Sequence, residues 1–269
     1  MNLSKIKLVV TDMDGTLLNS NHEVSDLFFE LFEELKNHNI LFVAASGRPY
    51  YGIIDKLDTI KNDIIIIAEN GGIIVDNNKV ISSIPINTDH LDKIEHVILS
   101  NNHMHPIYCT KSKAYFKGSS NGYIKSLSEY YPNFYVINDI KEIEEDIIKI
   151  ALYHPEDSEK YIFPYFKAIS ANYKIIVSGK QWVDISDKSA NKGVALELLQ
   201  NIYNVTTDET MVFGDYNNDI EMLKRSKYSF AMENAHIQVK ETANYRAKSN
   251  NEYGVELVLR KLIEAKQNI

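Results

Sequence analysis

Short apolar runs, each stopped by polar residues, divide the first third of the chain. Leu8-Val9-Val10 leads through Thr11 into Asp12, Ile40-Leu41-Phe42-Val43-Ala44-Ala45 stops at Ser46-Gly47, and a third run stops at Ala68-Glu69-Asn70-Gly71-Gly72. Such runs are too short for buried helices and fit strands covered on both faces. Between the first two, Leu27, Phe28, Leu31, Phe32 and Leu35 recur every three or four residues, which predicts a helix from Val24 to His38 buried along one face. Strands alternating with such helices predict a parallel sheet with helices on both sides. Ile73 to Ile81, broken at Asp76-Asn77-Asn78, predicts a hairpin instead.

From about Pro85 the pattern changes. Leu91 to Leu99 has helical spacing, Pro106–Tyr108 and Ala114–Phe116 suit short strands, and tyrosines become dense. Ile147 to Tyr153 and Tyr173 to Val177 suit two more strands, with a helix predicted between them at Tyr161 to Ala171. The chain returns near Asp184 to Ser189, and a helix is predicted from Val194 to Tyr203 with Val194, Leu198, Leu199 and Ile202 on its apolar face. The fold class is therefore α/β: a doubly wound parallel-sheet core, residues 1–82 and 188–269, interrupted by an inserted α+β unit, residues 83–187.

The 269 residues are ample for a buried core, and 44 % apolar with 25 % charged content is ordinary for a globular protein. A net charge of -8 argues against a nucleic-acid partner, which needs a basic face. No stretch approaches a membrane span, no apolar leader precedes the first strand, and the single Cys109 has no partner for an intrachain disulfide. A cytoplasmic location is expected, with Cys109 as a small core filler.

Candidate chemistry collects where the apolar runs end. The first run delivers Asp12 and Asp14, one residue apart, into a turn at Gly15. A calcium loop is excluded, because the glycine comes too early for an EF-hand; at Asp215-Tyr216-Asn217-Asn218-Asp219, Ile220 stands where that loop needs glycine. In open α/β sheets ligands sit beyond the carboxyl ends of the strands, so Asp12, Asp14, Asp215 and Asp219 are expected to converge. Crowded carboxylates without clustered His or Cys invite a hard cation, magnesium before others. His103 and His105, flanking Met104, suit a surface or substrate-lining role better than a metal pair.

The four pieces follow one another as Asp12-Met13-Asp14-Gly15-Thr16, Ser46-Gly47-Arg48-Pro49, Lys192-Gly193 and Gly214-Asp215-Tyr216-Asn217-Asn218-Asp219. In that order and wording the chain resembles the haloacid dehalogenase superfamily, and within it the Cof-type phosphatases with a class IIB cap. Ala68-Glu69-Asn70-Gly71-Gly72 and Ala231-Met232-Glu233-Asn234-Ala235 add to the likeness, although family members more often carry glycine where Glu233 stands. The resemblance implies a magnesium-dependent phosphatase acting on small phosphorylated metabolites, sugar phosphates among them. Asp12 would be the nucleophile and Asp14 the general acid and base. Ser46 and Lys192 would bind the phosphoryl group, and Arg48 would either reach it or tether its loop. Asp12, the main-chain carbonyl of Asp14 and Asp215 would hold the metal. Asn218 and Asp219 would orient the lysine or complete the metal's shell, Thr16 would bond locally in its turn, and Gly47 would support the serine loop. Asn70, Trp182 and Asp184 are candidates for the substrate side. Two other functions fit less well: a phosphomutase resembling the phosphomannomutases, and a non-catalytic phosphometabolite sensor, which would be expected to have lost one of the four motifs.

Overall fold

The computed structural model describes residues 2–117, 122–128, 131, 133–169 and 173–268. The first half of the core runs β1 (Leu8–Thr11), α1 (Asp26–Asn37), β2 (Leu41–Ala45), α2 (Tyr50–Lys56), β3 (Ile65–Ala68), β4 (Ile73–Asp76) and β5 (Lys79–Ser83). Every residue of β1 and β3 is buried, as apolar runs between two helical layers must be. Helix α1 begins where Ser25 accepts a hydrogen bond from the Phe28 amide at 3.1 Å, a cap worth about 1 kcal/mol. It buries Phe28, Leu31, Phe32 and Leu35, and both phenylalanines pack on Phe42 of β2 with ring centroids 5.1 and 5.9 Å away. The β4–β5 turn closes through Asn77 and Asn78, both left-handed, as a two-residue hairpin turn requires.

The insert contributes α3 (Thr88–Leu99), β6 (His105–Cys109), β7 (Ala114–Lys117), α4 (Ile124–Ser128), β8 (Phe134–Ile137), β9 (Lys149–Tyr153), α5 (Ser158–Tyr161), α6 (Phe163–Phe166), β10 (Tyr173–Gly179) and β11 (Trp182–Asp187). Its six strands form one sheet in the order β10-β11-β9-β6-β7-β8, antiparallel except for β7 with β8. The chain returns through α7 (Lys192–Ile202), β12 (Thr210–Gly214), α8 (Ile220–Leu223), β13 (Tyr228–Ala231), α9 (Ile237–Thr242), β14 (Tyr245–Arg246) and α10 (Gly254–Gln267). The core sheet reads β14-β13-β12-β1-β2-β3-β4-β5, parallel from β14 to β3 and antiparallel through the β4–β5 edge. The chain fills one side of β1 before the insert and the other side after it, so the switch point lies between β1 and its neighbours β12 and β2.

Three local expectations are corrected. The single helix at Tyr161 to Ala171 is instead α5, α6 and a 3-10 turn over Lys167–Ile169, with residues 170–172 outside the described residues; Pro164, in the first turn of α6, has no amide to carry α5 onward. The polar return at Asp184 lies inside strand β11, where Asp184 and Ser186 are buried. Helix α7 buries Ala195, Leu196 and Leu199 and exposes Val194 and Ile202, because its inward stripe runs from Lys192 itself.

Candidate active site

Asp12 follows β1 directly, and its amide donates to the Phe213 carbonyl of β12 at 3.1 Å, which holds it at the switch point. Gly15 turns the chain with φ +78°, and a Cβ there would stand 2.4 Å from Asp215 Oδ2. Glycine therefore lets the loop after β12 lie on the loop after β1. Thr16 donates to Asp215 Oδ1 at 3.1 Å, across 199 residues, in place of the local bond expected of it. Lys192, fully buried at the start of α7, donates to Asp12 Oδ1 at 2.5 Å and to Asp219 Oδ1 at 2.7 Å. Asp219 Oδ2 accepts the amides of Asp215 and Tyr216 at 2.9 and 3.1 Å, so both of its oxygens are engaged.

Burial pushes the Asp12 carboxyl up and repulsion from Asp219 adds to this, against the pull of Lys192. Burial and Asp219 likewise push Asp215 up to about 7. Lys192 is held above the ordinary lysine range, since Asp12 and Asp219 outweigh the cost of its burial. Asp12, Asp215 and Asp219 each offer an oxygen within 4.8 Å of the others. At that spacing two carboxylates repel by roughly 3 kcal/mol at an effective dielectric near 20. The donor set is all oxygen and carries excess negative charge, which fits a hard divalent cation such as magnesium.

Asp14 faces another partner. Arg48 Nε and Nη2 donate to its two oxygens at 2.7 and 2.6 Å, and His22 Nδ1 lies 3.2 Å away. Burial raises the Asp14 carboxyl, but Arg48 and then His22 outweigh it and leave the group below its ordinary range. Ser46 Oγ accepts from the Arg48 amide at 3.0 Å. Glu69, Asn70 and Gly71 are all left-handed, a strained run for two non-glycine residues, and it wraps the serine loop. The Asn70 side chain accepts from Asn218 at 2.9 Å and donates to Asp184 of the insert at 3.4 Å. Asn218 thus reaches Asn70, and the residue oriented on Lys192 is Asp219.

Core and insert enclose a cavity of about 480 Å³. Asp12, Asp14, Ser46, Gly47, Arg48, Asn70, Asp215 and Asn218 line it from the core, and Trp182 and Asp184 from the insert; Lys192, Asp219 and Thr16 stand behind Asp12 and Asp215. His22, Tyr131, Lys149 and Gln181 also line it and were missed. Lys149 left a readable trace, as the one charge in Ile147-Ile148-Lys149-Ile150-Ala151-Leu152, because a lysine in a buried strand needs partners. His105 packs at a tilt against Tyr123 with centroids 4.3 Å apart, and among the described residues Asp12, Asp215 and Asp219 are the one group of three or more such side chains able to hold an ion.

Fold and cavity floor together define a doubly wound α/β protein with an acidic site at a parallel-sheet switch point beneath an inserted unit. The family profile of haloacid dehalogenase-like hydrolases matches residues 9–259. A phosphatase of Escherichia coli named for 5-amino-6-(5-phospho-D-ribitylamino)uracil is 33% identical over 265 residues, covering 96% of this chain and 97% of that protein. A crystal structure from Streptococcus mutans superposes with a TM-score of 0.87 at 32% identity, over 96% of this chain and 99% of that one. A solved class IIB sugar phosphatase superposes at 0.82 with 20% identity, over 95% and 98% of the two chains, and bears on the fold alone. The chain belongs to the haloacid dehalogenase-like hydrolases, in the Cof-type branch, and is a phosphatase of that family.

Proposed function

We propose that this protein is a magnesium-dependent phosphomonoesterase for small phosphorylated metabolites of the sugar- or polyol-phosphate kind. The observation that carries the reading is Lys192, fully buried between Asp12 and Asp219, with Asp12 and Asp215 facing a capped cavity. In this scheme Asp12 attacks phosphorus through the oxygen not held by Lys192; a bond to Asp12 forms and the ester P–O bond breaks. Asp14 gives a proton to the departing alkoxide, then takes one from the water that cleaves the aspartyl-phosphate and restores Asp12. Ser46 donates to a phosphoryl oxygen, Lys192 supplies positive charge from behind Asp12, and Asp219 keeps the lysine in place. Asp12, Asp215 and the Asp14 main-chain carbonyl would hold magnesium, which supplies positive charge against the phosphoryl oxygens. Trp182, Gln181 and Asp184 would meet the rest of the substrate from the cap, and the cavity's size favours small esters over macromolecules. The Escherichia coli relative's name supports a phosphorylated ribityl compound as one substrate to try.

A phosphate-release screen across sugar phosphates, polyol phosphates, nucleotides, pyridoxal phosphate and the phosphoribitylamino-uracil tests this reading. Turnover of small esters is expected with magnesium, silence after chelation, and recovery on adding the ion back. Asp12→Asn should abolish turnover with the fold intact by circular dichroism. Full activity in metal-stripped protein, or substantial turnover by Asp12→Asn, contradicts the scheme.

A further inference from the structure

Lys149 lies on β9 of the cap, yet its ammonium is buried against the core. It forms an ion pair with Glu69 Oε2 at 2.6 Å, stands 3.8 Å from Asp184 Oδ2, and donates to the Gly47 carbonyl at 2.8 Å. Burial disfavours its charge, but Asp184 and Glu69 more than compensate and hold it protonated. Its neighbour Ile148 packs into the core against Gly72, where a Cβ would meet it at 2.6 Å. In the other direction, Tyr51 of core helix α2 is buried in the cap's cluster around Ile107, Phe116 and Tyr131. Core and cap are thus interlocked on either side of this lysine.

The serine loop is held by its carbonyls. Ser46 O accepts from the Asn70 amide at 2.9 Å and Arg48 O from the Glu69 amide at 3.0 Å, both inside the core. The middle carbonyl, Gly47 O, is held by Lys149 of the cap. That carbonyl shares a rigid peptide plane with the Arg48 amide, so turning one end turns the other. The Arg48 amide donates to Ser46 Oγ at 3.0 Å. With one lone pair occupied by this bond, the serine hydroxyl keeps its own proton for an acceptor in the cavity that Ser46 lines.

We infer that Lys149 is a positioning residue for phosphate binding: by holding the Gly47 carbonyl from the cap, it fixes the peptide whose amide orients the Ser46 hydroxyl. The phosphate-side donor is then set only when β9 is seated on the core, which links cap placement to anion affinity. This rests on the phosphatase reading, in which Ser46 meets the phosphoryl group.

The test compares wild type with Lys149→Met, using p-nitrophenyl phosphate as substrate and inorganic phosphate as inhibitor, both too small to need extensive cap contacts. Losing a charge-assisted hydrogen bond should raise KM for the ester and Ki for phosphate together, by about tenfold, with kcat changed by less than about threefold. A folding defect lowers the active fraction, and so kcat alone. Lys149→Met strands the Glu69 and Asp184 carboxylates; adding Glu69→Gln leaves only Asp184, which keeps its hydrogen bond from Asn70, and gives the same two readings if the single variant does not fold. KM and Ki within about twofold of wild type in folded protein would overturn the inference, as would a change confined to larger substrates. If wild type hydrolyses no ester, the phosphatase reading fails by itself, and calorimetric phosphate affinity of wild type against variant still decides the role of Lys149.

Discussion

Residue by residue, the cavity floor separates two carboxylates that stand one position apart in the chain. Asp12 is tied to a buried ammonium, while Asp14 is forked by Arg48 and touched by His22. A general acid must carry a proton when the leaving group departs, yet Arg48 favours the ionised form of Asp14. In the scheme proposed above, Arg48 therefore sets the pH at which Asp14 is competent. Removing the guanidinium raises the Asp14 pKa, so Arg48→Ala should move the high-pH limb of kcat/KM, where protonated Asp14 is lost, to higher pH. A limb that stays fixed or moves down, measured with p-nitrophenyl phosphate over a full pH series, would separate Arg48 from the protonation of Asp14.

Among the elements, β6 of the cap carries a titratable group at a costly position. His105 is buried against Tyr123 and Tyr153, and its pKa is lowered first by burial and then by His154 and His103. A histidine whose folded pKa lies below its unfolded value of 6.5 binds fewer protons when folded. Its neutral form contributes stability in full above that unfolded value, and the contribution is lost as pH falls toward the folded pKa. The melting temperature should therefore drop between about pH 7.5 and about pH 5.5, and His105→Gln should flatten that drop. Equal slopes for the two proteins in a calorimetric pH series would assign the acid sensitivity elsewhere. Burying core side chains such as Phe28 and Phe32 contributes roughly 2–3 kcal/mol each, independent of pH.

For the whole molecule, the proposed scheme divides chemistry and choice of substrate between the two sheets. The candidate nucleophile, acid, lysine and metal aspartates all come from the core, while Trp182 and Gln181 approach the cavity from the cap. Trp182 packs on Tyr153 and Tyr131 with centroids 5.0 and 6.0 Å away, so its ring presents a fixed wall to whatever enters. Trp182→Ala should change kcat/KM among large phosphate esters by about tenfold or more while leaving p-nitrophenyl phosphate within about threefold. Uniform loss across all esters would mean that the cap wall supports the fold and does not select.

The sequence alone determined the framework of this protein. Apolar runs ending at Asp12, Ser46 and Asp215 mark buried strands, because only a strand covered on both faces needs such a run; the helical spacing after Lys192 marks the element that carries the lysine inward. What it could not determine was pairing. Periodicity reports which face of an element is buried and says nothing about which distant atom lies opposite. Thr16 therefore read as a local turn residue although its partner is 199 positions away, and α7 was assigned its stripe without Lys192 as the anchor. The same limit hid Lys149, a single charge in an apolar strand whose partners Glu69 and Gly47 lie in the other domain. Burial makes each of these contacts strong, and burial is produced only when both sheets and their connections have folded around the site.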